Sequence, residues 1–229
     1  MTSPTDERLA TTGRLTRLLR RPELGALMGA IVIYIMFALV DTTGNFASIA
    51  GTARWTDVAA SVGIVAVPVA LLMIAGEFDL SAGVMIGTSG LLAGLLVSNF
   101  HLAMWPAIII TFAFAACIGL INGWLVALTG LPSFIVTLAM FFSLRGINLG
   151  MTKLLTDTVR VAGVDKAPGY DSASAIFSST FWPPNDFRIS VIWWIGITIV
   201  ATWVLTRTRF GNWIFAVGGD KNAARNTGV

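Results

Sequence analysis

Runs of apolar residues, each ended by polar or turn-forming residues, follow one another along nearly the whole chain. An α-helix rises about 1.5 Å per residue, so about 20 apolar residues are needed to cross a hydrocarbon core some 30 Å thick. On that measure the pattern predicts spans at about 24–40, 58–75, 80–98, 104–128, 133–151 and 189–206. The fifth is the least regular, because it contains Arg145 and closes with the polar Asn148. The predicted class is all-α: a polytopic helical membrane protein of about six transmembrane helices. Residues 1–23 read as a basic tail and residues 24–206 as the transmembrane domain. Within that domain, residues 152–187 form one sizeable loop, and residues 207–229 follow as a short terminal segment.

Composition removes the soluble alternative. The 229 residues are 55% hydrophobic and 12% charged, with a mean hydropathy of +0.79. Between Val58 and Leu144 the ordinary acids and bases are Glu77, Asp79 and His101 alone. The net charge of +3 therefore reports topology and not a nucleic-acid footprint. With the N-terminus inside, the inner segments hold Arg8, Arg14, Arg17, Arg20, Arg21, Arg207, Arg209, Lys221 and Arg225. The outer segments hold Arg54, Lys153, Arg160, Lys166 and Arg188, so nine against five places both termini in the cytoplasm. Trp55, Trp105, Trp182, Trp193 and Trp194 then gather at the outer face as an aromatic belt. The five N-terminal arginines before an apolar run imitate a secretory signal, but the run is longer than a signal core and further spans follow.

The chemistry-bearing residues cluster at one junction. "GEFD", Gly76 to Asp79, puts two carboxylates between the second and third runs. Gly76 ends one helix, and Asp79 or Ser81 can cap the next by accepting its free N–H groups. Glu77 has no such structural role, so a proton or cation relay is carried forward as one reading. Gly83, Gly87, Gly90 and Gly94 share one face of the third helix and predict close helix packing. Pro68 interrupts the second run and predicts a kink or a cavity-lining position. Arg145 must face protein or water, because a charge at the bilayer centre costs about 2.5–3.5 kcal/mol on insertion scales. Glu77, Pro68, Asn122 and Arg145 are the candidate pathway residues. Cys117 is expected to be a small buried residue and His101 a loop residue. One His and one Cys make no metal site, and no catalytic triad can be built from them. No GxxxxGK[ST] phosphate loop occurs, so this chain is expected to hold no nucleotide cofactor. At the C-terminal end Ala223, Ala224 and Gly228 predict a compact helix and turn able to enter a groove on another protein.

Four stretches in order carry a resemblance. "GEFDLSAG", "NGWLVALTGLPSFIVTLAMFFSLRGI", "TRFGNWIFAVGG" and "DKNAARNTGV" together resemble the permease subunit of bacterial ABC sugar importers, in the ribose/xylose/simple-sugar branch. The resemblance runs from about Pro22 to Val229. It implies a pathway subunit that is not itself an enzyme. The implied partners are a second permease subunit, ABC ATPase subunits carrying ATP and Mg²⁺, and an external sugar-binding protein. It further implies a coupling role for Gly218, Gly219, Asn222, Ala223, Ala224 and Gly228, and a signature role for Asp79 and Ser81. The expected site is the bacterial inner membrane. Glu77 stands where the family commonly has glycine, and Asn222 stands where the coupling motif has glutamate. Members continue with further spans beyond this motif, so the sequence is expected to be a truncated product or a partial reading frame. Two other readings compete with the importer. One is an ion-coupled carrier in which Glu77 and Asp79 bind H⁺ or Na⁺, against which no internal repeat is visible. The other is a non-transporting membrane subunit.

Overall fold

The computed structural model describes residues 22–229, and the basic tail expected at residues 1–23 falls almost wholly outside them. The chain divides into two compact units, residues 1–52 and residues 53–229.

In the first unit, α1 spans Pro22–Val40 and a tight turn follows. The Asp41 carboxylate organises that turn, accepting hydrogen bonds from the N–H and hydroxyl of Thr43 and from the Phe46 N–H. Phe46 then lies against Tyr34 and Phe37 of α1, with ring centroids 5.4 and 5.7 Å apart. Gly51 is required where the next helix starts, because a Cβ there would fall 1.9 Å from the Asn45 carbonyl oxygen.

Helix α2 spans Ile49–Ile74 and belongs mostly to the second unit. It begins well before the expected residue 58, taking in Arg54 and Asp57. Reading by hydropathy stops at such charges, whereas the folded chain gives Asp57 partners: the Ser190 hydroxyl at 2.9 Å and Arg188 at 3.9 Å. Helices α3 (Ser81–Ser98), α4 (Met104–Thr129) and α5 (Ser133–Thr156) follow, with α3 packed against both α4 and α5. Helix α5 runs past the expected residue 151, and its last turn closes through Asp157 in the left-handed region at φ 56°.

The loop expected at residues 152–187 is largely ordered into small elements. A 3₁₀ turn at Val164–Lys166 leads to α6 (Tyr170–Phe177) and to a hairpin of β1 (Thr180–Phe181) with β2 (Phe187–Arg188). Trp105 of α4 donates its indole N–H to the Ser172 hydroxyl at 2.9 Å, and Phe177 stacks on Trp193. The aromatic residues that suggested a belt are therefore also the pins that hold α6 to the bundle.

Helix α7 (Ser190–Arg207) contributes no buried residue, although Trp194 sits where a Cβ on Gly63 would clash with its ring. Helices α8 (Arg209–Gly219) and α9 (Lys221–Asn226) complete the described chain. Each is opened by a side-chain cap. Thr208 accepts from the Gly211 N–H, and Asp220 accepts from the N–H groups of Asn222 and Ala223. Gly228, at φ +86°, turns the chain so that the Val229 N–H returns to the Ala224 carbonyl.

Each of the six expected spans coincides with a helix. Five are long and apolar enough to cross a membrane, and the apolar part of α1, Leu24–Val40, is shorter. Large apolar side chains such as Phe112, Leu120, Leu154 and Ile199 point outward, as lipid-facing surfaces do. The protein is a multi-pass helical membrane protein. Cys117 departs from expectation: it is exposed on α4, because the buried face of that helix falls instead at Ala107, Thr111 and Asn122.

Candidate functional site

The chain leaves α2 through Gly76, whose φ of +81° is open to glycine at little cost. The next four residues, Glu77 to Leu80, are irregular, and their polar groups are taken up by other elements. Ser133 and Thr137, one turn apart on α5, accept the N–H groups of Phe78 at 3.0 Å and Leu80 at 3.1 Å. The backbone of the loop is thus fixed to the start of α5 by two hydroxyls.

Asp79 faces α3. Its Oδ1 accepts the Ser81 N–H at 2.7 Å and the Ser81 hydroxyl at 2.6 Å. This satisfies one free N–H at the start of α3 and places a negative charge at the positive end of that helix. The expected division between the two caps differs in detail. Asp79 accepts, while Ser81, 1% exposed, lies inside the first turn and donates back to it. Asn122 of α4, 4% exposed, donates its amide N–H to the Ser81 hydroxyl at 3.0 Å. One chain of bonds therefore joins the loop, α3 and α4.

Glu77 turns the other way. It forms an ion pair with Lys221, the first residue of α9. Partial burial works to raise the Glu77 pKa, but the hydrogen bonds from Lys221 and Ser133 and the Lys221 charge outweigh it and hold the carboxyl below its ordinary value. The helices carrying Lys221 are themselves pressed onto the end of α2. A Cβ at Gly218 would lie 1.8 Å from the Ile74 carbonyl oxygen and 3.3 Å from the Ala75 Cα. Only glycine allows that approach.

The remaining predicted residues separate into those inside and those outside this cluster. Pro68 lies within α2 and, with Asp79, Ser81 and Ser89, lines a cavity of about 620 Å³ between α2, α3 and α4. Ala224 is buried, whereas Asn222, Ala223 and Gly228 are exposed on the terminal segment. Gly219 has open space around its Cβ position. Of the four glycines on α3, Gly94 packs against Val161, while Gly83, Gly87 and Gly90 face space that no described residue fills. Arg145 is exposed midway along α5, about 18 Å along the axis from Ser133 at 1.5 Å per residue. It makes no ion pair among the described residues, so it is not part of the Glu77 and Asp79 cluster. Also among the described residues, no group of three or more His, Cys, Asp or Glu side chains could hold a metal ion.

Lys221, Ser133 and Thr137 are the members of the cluster that motif reading passed over. Lys221 had one signal available: an acid at the unusual position 77 calls for a base, and position 221 lies at the same membrane face under the expected topology. Ser133 and Thr137 lie within a stretch that carries the family resemblance, but a hydroxyl at the start of an apolar helix reads as an ordinary cap, so neither was singled out.

Residues 51–229 match the family described as branched-chain amino acid transport system / permease component. Among curated proteins, the galactose/methyl galactoside import permease protein MglC of Escherichia coli is 36% identical over 179 residues, covering 72% of this chain and 51% of its own. The inner membrane ABC transporter permease protein YjfF of Escherichia coli is 27% identical, covering 88% of this chain and 58% of its own. The xylose transport system permease protein XylH of Escherichia coli is 28% identical, covering 89% and 64%. The chain thus spans roughly half to two thirds of the length of these relatives. No solved structure gives a significant match. With a match over 179 of 229 residues and a bundle of long apolar helices, the chain belongs to the branched-chain amino acid transport system / permease component family.

Proposed function

We propose that this chain is a transmembrane permease subunit of an ABC importer in the inner membrane, carrying a sugar or similar small polar solute. ATP and Mg²⁺ belong to separate ATPase subunits, a second permease subunit completes the pathway, and an external binding protein delivers the solute. The relatives named for galactose and xylose import support the sugar reading. The observation that carries the mechanism is the clasp between the terminal segment and the Gly76–Leu80 loop, made by Lys221 with Glu77 and by Gly218 against Ile74.

In this reading both termini are cytoplasmic and α9 offers its exposed Ala223 face to the ATPase. Closure of the ATPases on ATP displaces α8 and α9. The clasp passes that displacement to the loop, whose bonds to Ser133, Thr137 and Asp79 bias α3, α4 and α5 between two arrangements. Asn222 cannot supply the carboxylate of the family's coupling motif, so recognition here rests on shape and on Arg225. The ion-coupled carrier is disfavoured by the same geometry: Glu77 is engaged by Lys221, and Asp79 is engaged by Ser81.

The test is to seek, in the reading frames neighbouring this gene, an ATPase with a phosphate loop and a secreted sugar-binding protein, to co-express the chain with that ATPase, and to reconstitute the complex with that binding protein. ATP-dependent uptake of a sugar supports the reading. Failure of the ATPase to co-purify, or uptake driven by an ion gradient without ATP, overturns it.

A further inference from the structure

Helix α8 lies between the ends of two spans. It opens at Arg209, two residues after the last residue of α7, so the chain can separate those positions by no more than about 7 Å. Its far end is held at the same level, because Gly218 is pressed on the carbonyl of Ile74, the last residue of α2. Both α7 and α2 are long and apolar enough to cross a membrane. A helix of eleven residues, about 16 Å long, with each end beside the end of a span, runs along the membrane surface.

Its sides divide accordingly. Gly211 and Ile214 are buried, and with Gly218 they mark the side that faces the bundle; a Cβ at Gly211 would meet the Leu205 carbonyl. Phe210 and Trp213 lie about 120° around the helix from the line of the two glycines, and they are 57% and 48% exposed. Arg209 borders them and Arg207 comes just before; both are exposed, and neither forms an ion pair among the described residues. No acid occurs between Asp186 and Asp220, and Asp220 is turned onto the start of α9. Asn212 is exposed on the side opposite Phe210. Phe215 is exposed as well, but it lies beyond the bundle-facing line and is not part of the aromatic face.

We infer that α8 is an interfacial helix that binds anionic phospholipid, with Phe210 and Trp213 in the acyl boundary and Arg207 and Arg209 on headgroup phosphates. The headgroup layer extends roughly 5–7 Å beyond the hydrocarbon, which is the level at which α8 lies. An apolar helix face flanked by basic residues is held there by the area it buries and by attraction to negative lipid. Trp suits that layer, and a guanidinium can grip a phosphate with two parallel hydrogen bonds. The face also continues a surface already turned to lipid, since α7 buries no residue and exposes Ile199 and Trp203. The bilayer would then support α8 from one side while α2 supports it from the other, giving the clasp at Lys221 a firm base. Naming the leaflet as cytoplasmic rests on the topology of the importer reading; the lipid contact does not.

The experiment places one environment-sensitive fluorophore on the full chain, with Cys117→Ser removing the native thiol and either Phe210→Cys or Asn212→Cys supplying the attachment point. The labelled chain is reconstituted in vesicles of phosphatidylcholine and phosphatidylglycerol, one or the other brominated near the top of its acyl chains. The label at position 210 should emit to the blue and be quenched by brominated lipid, while the label at position 212 should emit as in water and stay unquenched. Brominated phosphatidylglycerol should quench position 210 more than brominated phosphatidylcholine at equal mole fraction, an enrichment of about fivefold for each arginine. Arg207→Gln with Arg209→Gln should abolish that preference. Trp213→Cys, on the same face, decides if Phe210→Cys does not fold. Water-like emission at position 210 overturns the assignment, as does equal quenching by the two lipids. Blue emission without lipid quenching also overturns it, because a second copy or another protein then covers the face. Neither ATPase nor sugar is present, so these outcomes are separate from the fate of the importer reading.

Discussion

Lys221 is ion-paired with Glu77, 144 residues earlier in the chain. The pair joins the last helix of the described chain to the turn between α2 and α3. It also accounts for the one acid that capping chemistry left over: Asp79 serves α3, and Glu77 serves the terminal segment. A surface ion pair is worth roughly 0–1 kcal/mol. With 21% of the Glu77 side chain and 57% of the Lys221 side chain exposed, this one belongs near that range, so its value lies in register and not in bulk stability.

The clasp should be lost in acid. A carboxyl whose pKa is lowered on folding contributes stability above its ordinary value, and that contribution disappears as pH falls through the lowered folded value. Glu77→Gln should therefore melt below the native protein at pH 7, and the two melting points should converge as the pH falls through the lowered value of the folded carboxyl. Melting curves in detergent across pH 3–8 check this; a gap that widens in acid contradicts it.

Gly218 and Gly219 are adjacent in sequence and opposite in tolerance. A Cβ at Gly218 meets the Ile74 carbonyl oxygen, whereas one at Gly219 meets nothing within 4 Å. Gly218→Ala should cost about 1–3 kcal/mol by forcing α8 off α2, and Gly219→Ala should be close to neutral. Unfolding of the two variants in mild denaturant distinguishes them.

On α9 the two alanines also differ. Ala224 is 4% exposed and packs inward, while Ala223 is exposed. Ala223→Arg should leave the chain folded and abolish co-purification with the ATPase, because it places bulk and charge on the face proposed to dock it. Ala224→Arg should instead disrupt the terminal segment itself. Undiminished ATPase recovery with Ala223→Arg would remove the docking assignment.

The helices were legible because the bilayer imposes a length and a composition that hydropathy reads directly. The expected ends erred where charges found partners, as Asp57 did with Ser190 and Arg188 at the start of α2. The order within residues 152–187 was hidden because it depends on tertiary contacts, such as Trp105 with Ser172 and Phe177 with Trp193. Asp79 could be placed from local capping rules. The partners of Glu77 could not, since an acid at position 77 and a base at position 221 meet only after the bundle has formed. The glycine face of α3 shows the same limit. Spacing gives the face, but Gly94 alone has its neighbour among the described residues.

The most direct test of the coupling role is charge reversal at the clasp, read as sugar transported per ATP hydrolysed in the reconstituted complex. Glu77→Lys and Lys221→Glu should each lower that ratio while ATPase association persists, and the double variant should recover most of it, as a pairwise interaction requires. Single variants that transport with the native ratio, or a double variant no better than either single one, would contradict the account.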